Sequence, residues 1–142
     1  MGDRILAFAL DRAQRTLREA QRQGMDVAVA AVDMGGRTIV ALRGDLAGYP
    51  SLEAARKKAN AAAVLGLPTA AIADLAGRDP IMLRALGATD DVLVVPGGFP
   101  LVLDGRRVGG IGLAGGRYDE DHRLLAAVLD AALVAERGEG VQ

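Results

Sequence analysis

The chain has 142 residues, a formal net charge of −1, 25% charged and 51% hydrophobic residues, 3% aromatics and no cysteine. This length suits one domain, residues 1–142, with a core of its own. The composition excludes disulfides, thiolate metal sites and a cysteine nucleophile, and it offers neither the basic footprint nor the stacking aromatics of a nucleic-acid binder. No apolar run reaches the roughly 20 residues of a membrane span, and the N-terminal segment, interrupted by Asp11, Arg12 and Arg15, does not read as a signal peptide. The expectation is a cytoplasmic protein with no membrane and no nucleic-acid partner.

In chain order, residues 3 to 23 place Ile5, Leu6, Ala9, Leu10, Ala13, Leu17 and Ala20 at helical spacing, and Gly24 closes that helix. Residues 25 to 33 form an apolar strand with Val27, Val29 and Ala31 on one face. "MGG" turns the chain, with Asp33 capping the turn, and "RTIVALR" runs back as the second strand of a hairpin. Ser51 reads as the N-cap of a helix running to about Leu65, stopped by Gly66 and Pro68. Residues 70 to 87 read as one or two short helices broken around Asp79 and Pro80. Then "DVLVVPGG", "FPLVLDG" and "RRVGGIGLAG" read as three short strands, the last two joined by a turn at "DGRR". A helix from the acidic "DED" at 119–121 to about Gly138 ends the series, with charges that suit its dipole. Hairpins dominate, so the chain is expected to be an α+β layered domain with a central antiparallel five-stranded sheet flanked by helices.

Within "VGGIGLAGG" (108–116), Gly110-x-Gly112-x-x-Gly115 matches the dinucleotide-binding fingerprint on paper. The fingerprint requires a helix and then a second parallel strand ending in an acid. Here the following helix runs almost to the end of the chain, and the glycines lie inside a strand. Strand glycines mark a bulge or the close approach of a backbone or a ligand.

His122 is the only histidine, hence the only imidazole for a metal, for haem iron or for general acid–base work; the plainer alternative is a first-turn residue packed on a neighbour. Asp119, Glu120 and Asp121 with His122 make a metal site conceivable, although acids in a first turn are ordinary caps. Lys57 and Lys58 either point to solvent or place an ammonium near a ligand carboxylate. Arg43 and Asp45 read as an ion pair fixing the loop after the hairpin. Ser51 is the only serine and has no base near it in sequence, which disfavours a serine hydrolase.

Four ordered features, "VAVAAVDMGGRTIVALRGD", "KKANAAAVLGLPT", "PGGFPLVLDGRRVGGIGLAGG" and the acidic helix start, resemble the GlcG/HbpS family of haem-binding domains, which also forms the C-terminal part of PduO-type proteins. The resemblance covers nearly the whole chain. The family's features fall on Val32, Asp33, Gly35 and Gly36; on Arg43 and Asp45; on Lys58 and Ala59; on Pro68 and Thr69; on Gly97, Gly98 and Pro100; on the segment containing Gly110 and Gly112; and on Asp121. Asn60, Ala61, Ala114, His122 and Leu125 depart from the family's usual residues. The resemblance implies a profilin-like sandwich, a haem or other small-molecule ligand, and homo-oligomers built from dimers. It also implies that Lys58 is the inward-facing lysine.

Two functions are therefore expected. One is a haem- or tetrapyrrole-binding protein whose pocket lies between the sheet and the Lys58 helix, with Lys58 or Arg43 meeting ligand carboxylates and Thr69, Gly98, Gly110 and Gly112 lining it. The alternative is a small cofactor-independent enzyme acting on an organic acid in the same pocket, with His122 or Asp121 moving a proton. A third possibility is a ligand-free structural subunit that assembles through its Ala- and Gly-rich surfaces.

Overall fold

The computed structural model describes residues 3–140. The elements are α1 (Arg4–Arg22), β1 (Ala28–Asp33), β2 (Thr38–Arg43), α2 (Pro50–Leu65), α3 (Thr69–Gly77), α4 (Pro80–Gly87), β3 (Gly98–Leu103), β4 (Arg106–Ala114) and α5 (Tyr118–Gly140). The strands form one antiparallel sheet in the order β2-β1-β4-β3. Two hairpins thus sit side by side, and their turns emerge at the same end of the sheet.

Alternation along the strands separates two unlike faces. Val29 and Ala31 of β1 and Ile111 and Leu113 of β4 join a core with Ala9 and Ala13 of α1 and Leu124 and Leu125 of α5. Each fully buried Leu, Ile or Val there contributes about 1.5–3 kcal/mol, so this face carries most of the hydrophobic stabilisation. The opposite face is lined by Ala28, Ala30, Val32, Gly110 and Gly112, and α2 lies directly on it. Its contacts are small, Ala30 with Ala55 and Ala114, and Val32 with Ala59 and Ala63. On the first face Arg12, 3% exposed, links the two helices: Nη1 meets Asp11 and Glu136 at 2.7 Å, and the guanidinium lies 4.4 Å over the Phe8 ring.

The turns follow local chemistry. Asp33 Oδ1 accepts hydrogen bonds from the backbone N–H of Gly35 (2.9 Å) and Arg37 (3.0 Å), and Gly36 takes φ +81°. The second hairpin turns through Asp104 and Gly105, both at positive φ (+53° and +76°), the pairing a two-residue hairpin requires. Asp79 caps α4 by accepting from Ile81 and Met82 N–H.

Two expectations are corrected. The sheet has four strands rather than five: the apolar run at 92–96 does not pair with a strand, although β2 and β3 each pair on one side only, because its backbone is held by α2. Leu93 N–H instead donates to Lys57 C=O at 3.3 Å, laying this run along α2. Ser51 does not cap α2, which begins one residue earlier, at Pro50, where a proline needs no N–H partner. Among the described residues no single helix is long and apolar enough to cross a membrane; α2 and α3 together pass on length and composition but are bent by 76°.

Candidate functional site

The residues expected to line a pocket come together, but as packing. A Cβ built on Gly110 would stand 2.0 Å from Ala59 C=O, one on Gly112 2.0 Å from Ala55 C=O, and one on Gly98 2.5 Å from Lys58 C=O. These three glycines let the backbone of α2 rest on the sheet, and the space where a ligand was expected is filled by the helix. Thr69, fully buried, accepts from Gly98 N–H at 2.8 Å and donates to Gly98 C=O at 3.4 Å, tying the start of α3 to β3.

Lys58 is the inward lysine, as the resemblance implies, and it is 3% exposed. Its Nζ donates to Leu113 C=O at 2.9 Å and meets Asp121 Oδ2 at 3.4 Å. Asp121, 1% exposed, accepts from Gly116 N–H with its other oxygen at 3.2 Å. Burial lowers the Lys58 pKa and raises that of Asp121, each opposed by the charge of the other. Because α2 and α5 cover opposite faces, this ion pair ties the two outer layers around the end of β4. None of these groups lines any of the three clefts described below.

Arg43 does not pair with the Asp45 carboxylate. Its Nη1 donates to the carbonyls of Gly44, Asp45 and Ala47 at 3.1, 3.2 and 3.4 Å, fixing the loop through the backbone instead. The Arg43 side chain is exposed, whereas that of Lys58 is buried. His122 stacks on Phe99 of β3, centroids 5.1 Å apart and planes inclined by 24°, and its buried Nδ1 has no hydrogen-bond partner. Asp121 is turned to Lys58 while His122 is turned to Phe99, so the two neighbours do not address one site. Among the described residues no three Asp, Glu, His or Cys side chains lie close enough to hold an ion, those of residues 119–122 included.

The open space lies elsewhere. A cleft of about 640 Å³ opens at the end of the sheet where both hairpin turns emerge. Ile5, Met34, Leu103 and Val108 give it apolar walls, and Arg4, Arg37, Arg106 and Arg107 stand around it. Two of the arginines are already matched: Arg37 Nε meets Asp33 at 3.0 Å, and Arg4 meets Asp104. Among the described residues Arg106 and Arg107 have no carboxylate partner. The guanidinium of Arg107 lies against Gly66, at the C-terminal end of α2, where a Cβ would stand 1.7 Å from Nη1. Sequence reasoning missed this site. Its only signals were the "GGR" and "DGRR" turns, and nothing in either showed that they lie at the same end of the sheet. Two smaller clefts lie between α3 and α4, lined by Ala73, Leu86 and Val92, and between α1 and α5, lined by Arg15, Leu124 and Val128.

An α+β domain with an apolar-walled cleft and a few charged groups at its rim has the general form of a small-molecule site. The model of the family described as "Haem degrading protein HbpS-like" matches residues 6–130, and the chain belongs to that family. An uncharacterised 15.0 kDa protein of Citrobacter freundii, from the dhaT–dhaS intergenic region, is 32% identical over 127 residues, covering 88% of this chain and 89% of the relative. A double mutant of HbpS from Streptomyces reticuli superimposes with a TM-score of 0.79 at 34% identity, over 89% of this chain and 84% of that one. The PduOC–haem complex gives a TM-score of 0.74 at 26% identity, over 87% and 91% of the two chains.

Proposed function

We propose that this chain binds haem or a closely related carboxylate-bearing tetrapyrrole, and that the ligand sits in the cleft at the end of the sheet. The observation that carries this reading is the pairing of apolar walls with arginines that have no carboxylate partner, within a volume of about 640 Å³. Small-molecule sites typically fall in the range of about 300–1,000 Å³ and combine apolar lining with a few placed charges. Family membership and the likeness to a haem complex favour haem within that class.

The residues fit such a ligand. Ile5, Leu103 and Val108 would face the ring, arginines would meet the propionates as charge-assisted pairs, and the thioether of Met34 is the soft donor of the cleft. What haem supplies is a redox-active iron; what the chain supplies is a wall, an orientation and counter-charges. The enzyme alternative has less support, because Lys58 and Asp121 neutralise each other inside the protein and His122 points elsewhere.

A hemin titration followed by visible absorbance tests this reading, with Met34→Ala, His122→Ala and Lys58→Ala in parallel. A saturable Soret shift that changes in Met34→Ala and persists in His122→Ala is expected. A spectrum indistinguishable from free hemin would sink the haem reading. Loss of the shift in His122→Ala alone would move the ligand to the Phe99 edge of the sheet.

A further inference from the structure

We infer that the cleft selects ligands carrying two separate anionic groups, and that Arg106 and Arg107 each anchor one of them. The inference rests on the reading of this cleft as the tetrapyrrole site and adds what the ligand must carry.

Charge matching leads to it. Among the described residues four arginines and two aspartates line the cleft. Asp33 is committed to Arg37, and also caps its own turn through two backbone N–H groups. Asp104 is committed to Arg4 and closes the gap between the start of α1 and the second turn. That leaves two guanidinium charges without a carboxylate, Arg106 and Arg107, both exposed.

Geometry keeps these two apart. They are consecutive residues at the start of β4, paired with Leu103 and Val102, so their side chains leave opposite faces of the strand. Arg107 lies toward the α2 side, held against Gly66. Arg106 therefore leaves from the side covered by α1. One compact anion would meet only one of them. Two carboxylates at separate points of a flat, apolar ligand would meet both, and each guanidinium offers the planar fork that matches a carboxylate.

The probes are hemin, metal-free protoporphyrin and protoporphyrin dimethyl ester, which lacks both charges. Binding is followed by absorbance and by protein fluorescence-independent equilibrium dialysis, on the wild type, Arg106→Ala, Arg107→Ala, the double variant, and Arg84→Ala as a control arginine on α4. Each single variant is expected to weaken the two dicarboxylates about tenfold, and the double variant about a hundredfold. The ester should bind all five proteins alike, and Arg84→Ala should match the wild type. Melting curves check that the variants remain folded, which the exposure of both side chains favours. Dicarboxylate binding that is unchanged in both single variants, or weakened in only one, overturns this inference and leaves the haem reading standing. If neither hemin nor protoporphyrin saturates the wild type, both fall together.

Discussion

Gly112 and Lys58 show how much a single position decides here. At Gly112 a methyl group would stand 2.0 Å from the backbone oxygen of Ala55, and backbone cannot swing aside as a flexible side chain can. Gly112→Ala is expected to lower stability by about 3 kcal/mol, the upper end of ordinary overpacking, whereas Gly77→Ala, with nothing within 4 Å, should be neutral or slightly stabilising. Paired urea melts would decide it, and equal midpoints would refute the close contact of α2. Lys58→Met leaves the Asp121 carboxylate buried and unpaired, at a cost of about 3–5 kcal/mol. The double variant Lys58→Met with Asp121→Leu should recover most of that loss, because no uncompensated charge remains. A double variant as unstable as the single one would show that the ammonium serves something other than Asp121. At this scale the sequence was partly legible. The resemblance pointed to Lys58 as inward, but its partner, 63 positions away, had no local signal.

The β1–β2 turn is the element whose chemistry is most local. Burial tends to raise the Asp33 pKa, but hydrogen bonds from Arg37 and Gly35 N–H and the Arg37 guanidinium outweigh it, and the carboxyl ends below its ordinary value of 3.8. A carboxyl whose folded pKa is depressed binds its proton more readily in the unfolded chain. Its contribution is therefore complete above the unfolded pKa and is lost as pH falls through the lower, folded one. Wild type should exceed Asp33→Asn in stability at neutral pH, and the gap should close below about pH 4. A gap that stays constant from pH 7 to pH 3 would mean that the carboxylate charge contributes nothing to the turn. The turns at Gly35–Gly36, Asp104–Gly105 and Asp79–Pro80 were all readable, because each is specified by residues within four positions. The run at 92–96 was not. Its β-branched, apolar composition suits a strand, but tertiary packing lays it along α2, with Leu93 N–H on Lys57 C=O, and that contact spans 36 positions.

At the scale of the molecule, the helices α3 and α4 stand out. No residue of α4 is buried, and Ile81 is 82% and Leu83 57% exposed, beside the apolar cleft lined by Ala73, Leu86 and Val92. Contiguous exposed apolar surface on a chain with net charge near zero favours association. The family resemblance implies dimers as an expectation, and Ile81 and Leu83 are apolar side chains that such an association would cover. The double variant Ile81→Asp, Leu83→Asp is expected to lower the mass measured by light scattering, with hemin binding in the sheet-end cleft, which α4 does not line, retained. An unchanged mass would place any self-association on another face.

The sequence by itself determined the class of fold, the order of nearly all elements, the turns and the family, because periodicity, caps and turn residues act over a few positions. It also determined that Gly110 and Gly112 admit a close neighbour. Only the tertiary structure decided what that neighbour is, the backbone of α2 rather than a ligand. Only the pairing of β1 with β4 put the two hairpin turns side by side and gathered Arg4, Arg37, Arg106 and Arg107 around one cleft. Contacts between distant positions depend on strand order and layer stacking, which emerge from the packing of the whole chain and leave no mark at either residue.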